Sequence, residues 1–153
     1  MRLSIFDYGA GNLHSLAKAL AGPGRSVLLE ADPRAVLETD VLVLPGVGAF
    51  APAVDRLSPA REMIRDRITG GLPTLGICLG MQLLFDESDE GAGRGLRVFP
   101  GRVERLRASR TPQMGWNAIE HAREPLLESA GLSVAYYANR FVCRAGRPDD
   151  VIA

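Results

Sequence analysis

The chain has 153 residues, 46% of them apolar, enough to bury a sizeable core within one domain. Its formal net charge is zero, which removes any general electrostatic case for nucleic acid or an anionic membrane as partner. Two cysteines make no disulfide framework and no apolar run is long enough to span a bilayer, so a reducing, cytoplasmic setting is expected.

In chain order, Leu3 to Tyr8 reads as a strand that ends at Gly9-Ala10-Gly11-Asn12. Asn12 is a candidate N-cap for a helix over Leu13 to Ala21, and Gly22-Pro23-Gly24 breaks that helix. Ser26 to Glu30 is a second strand. Asp32-Pro33 opens a short helix to about Glu38. Val41 to Leu44 is a continuous apolar run, the pattern of a strand covered on both faces. A glycine-rich loop, Pro45 to Phe50, follows, and Ser58-Pro59 starts a helix through about Thr69. Thr74 to Ile77 is a fourth strand. Asp86 to Gly95 is an acidic loop, Leu96 to Leu106 contains extended segments, and Val134 to Val142 reads as strand. Strands alternating with helices imply an α/β fold with a doubly wound, mostly parallel sheet flanked by helices, in one domain over 1–153. Sites in such sheets lie beyond the carboxyl ends of the strands, where Gly9 to Asn12, Pro45 to Phe50 and the segment after Ile77 fall.

That last segment organises the chain. Gly76 and Gly80 bracket Cys78 between a strand and a helix expected from about Leu79. This is the nucleophile-elbow pattern, with sulfur in place of a serine oxygen. A sharp strand-to-helix turn needs small flanking residues, and a helix N-terminus favours thiolate over thiol. The ordinary alternative is a small, inert core cysteine.

Leu-Gly-Ile-Cys-Leu-Gly-Met-Gln-Leu-Leu-Phe, residues 75–85, resembles the nucleophile motif of the class I (triad) glutamine amidotransferases. Together with the blocks below, the chain is similar to the glutaminase subunits of imidazole glycerol phosphate synthases, from Met1 to about residue 143. The resemblance implies that Cys78 attacks glutamine, releasing glutamate and ammonia for histidine biosynthesis. It implies a heterodimer with the cyclase subunit, and no metal or organic cofactor. Pro45-Gly46-Val47-Gly48 resembles the family's oxyanion loop, which implies that the N–H of Val47 or Gly48, with that of Leu79, forms the hole. Gly46, Gln82 and Glu90 match the contacts to glutamine. Gln82, one helical turn from Cys78, is expected on the same side as the sulfur. Asn12 and the block Gln113-Met114-Gly115-Trp116-Asn117 match the face toward the cyclase subunit.

Each block has an ordinary alternative: a plain turn for Pro45–Gly48, solvated polar residues for Gln82 and Glu90, and core packing for Trp116. Six arginines between Arg94 and Arg110 present either an edge to an acidic partner or a solvated face. Gly9-Ala10-Gly11 begins like a dinucleotide fingerprint, but His14 stands where the third glycine belongs.

A cysteine acyl-transfer site needs a general base, most often histidine. The chain holds His14 and His121 and lacks the family's His-Pro-Glu motif, and it ends in apolar residues as though a strand were starting. A truncated domain is therefore expected, without its last strands, final helix, triad histidine and glutamate. Arg140 stands where the family usually has a serine. Two other readings stay open: a catalytically silent docking subunit, and another cysteine hydrolase of elbow type.

Overall fold

The computed structural model describes residues 1–9, 11–120, 127 and 129–152. Parallel pairing joins β1 (Arg2–Phe6), β2 (Ser26–Glu30), β3 (Val41–Leu44) and β4 (Thr74–Gly76) in the order β2-β1-β3-β4. The register sets Ile5 beside Val43 and Leu44 beside Gly76. The carboxyl ends of the central strands therefore open toward one edge, as the alternation of strands and helices predicts. The α/β fold with a mostly parallel main sheet is thus observed.

The Asn12 cap holds. Its Oδ1 accepts the N–H of Ser15 at 3.2 Å and starts α1 (Leu13–Leu20). A helix missed by the sequence reading, α2 (Phe50–Leu57), follows the glycine-rich loop and buries Phe50, Ala53, Val54 and Leu57 against the sheet. The Phe50 ring is fully buried, worth roughly 1.5–3 kcal/mol, and fixes where α2 begins. Ser58-Pro59 opens a 3₁₀ turn, Ser58–Ala60, and only then α3 (Arg61–Thr69). The segment after Asp32 is likewise one 3₁₀ turn, Ala35–Leu37, with Asp32 Oδ1 accepting the Arg34 N–H.

The helix expected after Leu79 closes at once: α4 spans Leu79–Gln82. Competition for carbonyls explains this. Leu83 O accepts the N–H of Leu96, and Leu84 O those of Val98 and Phe99, so neither serves a further helical turn. Leu83, Leu84 and Phe85 stay buried in this irregular form.

Two smaller sheets follow. In one, β6 (Gly101–Arg105) pairs in parallel with β5 (Glu87–Ser88) and antiparallel with β9 (Phe141–Ala145), with Val103 opposite Cys143. In the other, β7 (Gln113–Ala118) and β8 (Val134–Asn139) run antiparallel, with Trp116 opposite Tyr136. The arginine-rich stretch is tied down on the surface. Arg94 and Arg97 meet Asp86, Arg102 meets Asp89, and Arg105 lies over the Phe141 ring. The backbone N–H of Arg105 and the Arg102 guanidinium hold the exposed Asp89 carboxyl below its usual range. Among the described residues, no helix is long and apolar enough to cross a membrane.

Candidate active site

Cys78 sits in the turn that joins β4 to α4, with its side chain exposed. Gly80 N–H donates to Ile77 O at 2.9 Å, closing a four-residue turn whose second residue is Cys78 at φ 51°, ψ −107°. These angles match the first central position of a type II′ turn, which ordinarily takes glycine. A cysteine held there costs about 1–3 kcal/mol, a strain that persists only where the surroundings over-determine it.

The surroundings do so. Ile77 N–H donates to Leu44 O at 3.0 Å, which carries the sheet pairing up to the turn. A Cβ on Gly80 would lie 1.9 Å from that same carbonyl oxygen, so the turn packs directly on the end of β3. On Gly46, a Cβ would lie 2.4 Å from the Leu79 Cβ, which seats the Pro45–Ala49 loop against the elbow. A Cβ on Gly76 would lie 2.8 Å from Met81 Cα, so both glycines flanking the cysteine, read as room for a sharp turn, have a contact reason. The helix-dipole argument needs correction: with α4 a single turn, help to a thiolate comes from its first free N–H groups and not from a long macrodipole.

The N–H groups of Val47, Gly48 and Leu79 find no acceptor among the described residues. Gly48 adopts φ 143°, and Val47 is 66% exposed. The loop is held at its two ends. The hydroxyl of Tyr8, just past β1, donates to Pro45 O. Glu90 Oε2 accepts the Phe50 N–H at 3.0 Å. Sequence reasoning missed Tyr8, whose only signal was a second aromatic, after Phe6, at the carboxyl end of the strand. Burial, and then the nearby Cys78 sulfur, push the Tyr8 phenol well above its usual range, so it stays a neutral donor.

Gln82 does not share the exposed side with Cys78. It is 8% exposed, and its Oε1 is buried without a partner among the described residues. A one-turn helix that dives into the core carries its last residue inward, which the simple one-turn spacing did not anticipate. Glu90 is half-buried against α2. Asn12 lies beside the same edge, where a Cβ on Gly11 would stand 3.6 Å from Pro45 Cβ.

No described side chain hydrogen-bonds the Cys78 sulfur. His14 is exposed on α1, and His121 lies outside the described residues. Arg140 is exposed beyond β8. Cys143 is half-buried on β9, and burial followed by the nearby Cys78 sulfur raises its thiol to about 11. Trp116 and Met114 are not core: they are 72% and 66% exposed, on one face of β7–β8 with Tyr136. The Trp116 and Tyr136 rings meet edge-on at 5.6 Å. A cleft of 630 Å³ lined by Leu106, Ala108, Arg110, Pro112, Gln113 and Met114 borders that face and does not include Cys78. Among the described residues, no three His, Cys, Asp or Glu side chains cluster as a metal site would require.

A strained, exposed cysteine on a strand–turn–helix elbow, beside a glycine loop with free N–H groups, is what a thiol acyl-transfer site requires. The chain belongs to the class-I glutamine amidotransferases, whose family model matches residues 4–142. Among curated proteins it is similar to the imidazole glycerol phosphate synthase subunit HisH of several bacteria. That of Thermus thermophilus is 50% identical over 123 residues, 78% of this chain and 62% of the relative. That of Synechococcus elongatus is 42% identical over 143 residues, 89% of this chain and 66% of the relative. That of Leifsonia xyli is 48% identical over 127 residues, 80% and 61% respectively. The chain thus spans 61% to 66% of the length of these relatives.

Proposed function

We propose that this chain is the glutaminase component of an imidazole glycerol phosphate synthase, working as a single cytoplasmic domain in histidine biosynthesis. The observation that carries the reading is the exposed Cys78 at φ 51° on a turn beside unpaired N–H groups. The glutamine amidotransferase family supports the substrate, and relatives named as subunits of that synthase support the assembly.

In the proposed reaction the Cys78 sulfur attacks the carboxamide carbon of glutamine. As the C–S bond forms, the carbonyl electrons move onto oxygen, and the N–H groups of Val47 or Gly48 and of Leu79 receive that charge. One such donor is worth about 10²–10³ in rate. Collapse breaks the C–N bond, and the nitrogen leaves as ammonia once it has taken a proton. Water then attacks the thioester carbon, releasing glutamate and returning the thiol. Gly46 backbone, Gln82 and the free oxygen of Glu90 are the proposed glutamine contacts. An α-ammonium suits that carboxylate.

The exposed face bearing Met114 and Trp116, with Gln113 and Asn12, is the proposed contact to the ammonia-accepting cyclase subunit. Aromatics and methionine are enriched in such interfaces, and this face offers both in the open. A second reading, a docking subunit without turnover, is favoured by the absence of any described base at the sulfur.

Labelling with a glutamine-like diazoketone followed by peptide mapping tests the nucleophile. Modification of Cys78 with Cys143 untouched is expected, and Cys143 modified first would overturn the assignment. Glutamate release in the presence of the cyclase subunit separates the two readings.

A further inference from the structure

We propose that Tyr8 and Glu90 are positioning residues that pin the two ends of the Pro45–Phe50 loop and so hold its unpaired N–H groups at Cys78. The proposal rests on reading that loop as the oxyanion-binding one.

Among the described residues, the loop's hydrogen bonds lie at its two ends. At its start the Tyr8 hydroxyl donates to Pro45 O, and the phenol is 5% exposed with its ring edge-on to Phe6. At its finish Glu90 Oε2 accepts the Phe50 N–H, the first donor of α2. The carboxylate is itself presented by its surroundings. Ser88 Oγ accepts the Glu90 N–H at 3.1 Å. Gly91 and Gly93 sit against α2, where a Cβ would lie 3.1 Å from Ala51 Cβ and 2.8 Å from Val54 Cγ1. Between the two pins, Val47 and Gly48 make no hydrogen bond to the described residues. Donors aimed at developing charge help only if they are held before the charge appears. Without a partner of their own, these two rely on their neighbours for that. Glu90 would therefore act twice, one oxygen on the loop and the other toward the substrate ammonium.

The test uses the whole chain and three probes. Iodoacetamide reports access to the Cys78 sulfur. Glutamate γ-semialdehyde adds reversibly to a thiol and leaves its oxygen in the hole. Glutarate semialdehyde does the same without an α-ammonium. Tyr8→Phe is expected to weaken both aldehydes about tenfold, the effect of one lost buried hydrogen bond, and Glu90→Ala to weaken glutarate semialdehyde about tenfold and the amino-aldehyde further, with iodoacetamide rates changed less than about twofold. Glu90→Gln keeps an acceptor for Phe50, so it should restore glutarate semialdehyde binding but not that of the amino-aldehyde. If Glu90→Ala weakens only the amino-aldehyde, or Tyr8→Phe leaves both unchanged, the clamp is overturned while the glutaminase reading stands. If the unmodified protein binds neither aldehyde although iodoacetamide reaches Cys78, the glutaminase reading fails and takes the clamp with it. Should Glu90→Ala fail to fold, Tyr8→Phe and Glu90→Gln carry the decision.

Discussion

Replacing the nucleophile by glycine should make the protein more stable. Cys78 occupies a backbone conformation that glycine adopts freely and other residues do not, φ 51° with ψ −107°. The strain is about 1–3 kcal/mol. Glycine gives back about 0.5–1 kcal/mol through the greater freedom of its unfolded chain. Alanine keeps a Cβ and therefore the strain, while also lacking sulfur, so it is the proper reference. Because the Cys78 side chain is exposed, its removal loses little burial in either variant. Cys78→Gly should then exceed Cys78→Ala by about 1 kcal/mol, or roughly 2–4 °C in Tm for a chain of this size. Urea titration with unchanged m-values would measure it. A glycine variant no more stable than the alanine one would mean that the turn holds no strain at Cys78, and the over-determined elbow would be wrong.

Gly80→Ala should destabilise by about 3 kcal/mol or more and slow labelling of Cys78, because the new Cβ would lie 1.9 Å from Leu44 O and backbone must move. Equal urea midpoints for this variant and the parent would contradict the packing. Raising pH should also weaken the fold. The Cys143 thiol titrates at about 11 when folded against an ordinary 9.0, so the folded state keeps the proton longer and stability falls as pH climbs between those values. Below 9.0 both states are protonated and the contribution is constant. Cys143→Ala should flatten this part of the pH profile of the urea midpoint, and Tyr8→Phe the part that begins at 10.0, the ordinary value of a phenol whose folded form holds its proton longer. Trp116→Ala should weaken binding to the proposed cyclase partner by about 2 kcal/mol, near thirtyfold, without lowering Tm, since the indole is 72% exposed. Calorimetric titration would check it, and unchanged affinity would remove Trp116 from the interface.

Local features were legible in the residues because they depend on neighbours in the chain. The Asn12 cap, the Val41–Leu44 strand and the glycines around Cys78 all follow from short-range geometry, and all stand in the fold. The glycine pattern even located the turn, since a sharp strand-to-helix crossing leaves no space for a Cβ at Gly76, which would lie 2.8 Å from Met81 Cα just beyond the turn. Tertiary structure alone decided the rest. Nothing near Leu83 and Leu84 announces that Leu96, Val98 and Phe99 take their carbonyls, so the helix looked longer than the single turn that forms. The same contacts leave Gln82 buried while Cys78 is exposed, although spacing alone set the two on one side. Tyr8 and Glu90 stand 37 and 40 residues from the groups they hold. A hydrogen bond across such a separation exists only once β1, β3 and α2 have packed, because the sequence specifies each partner but not the distance between them.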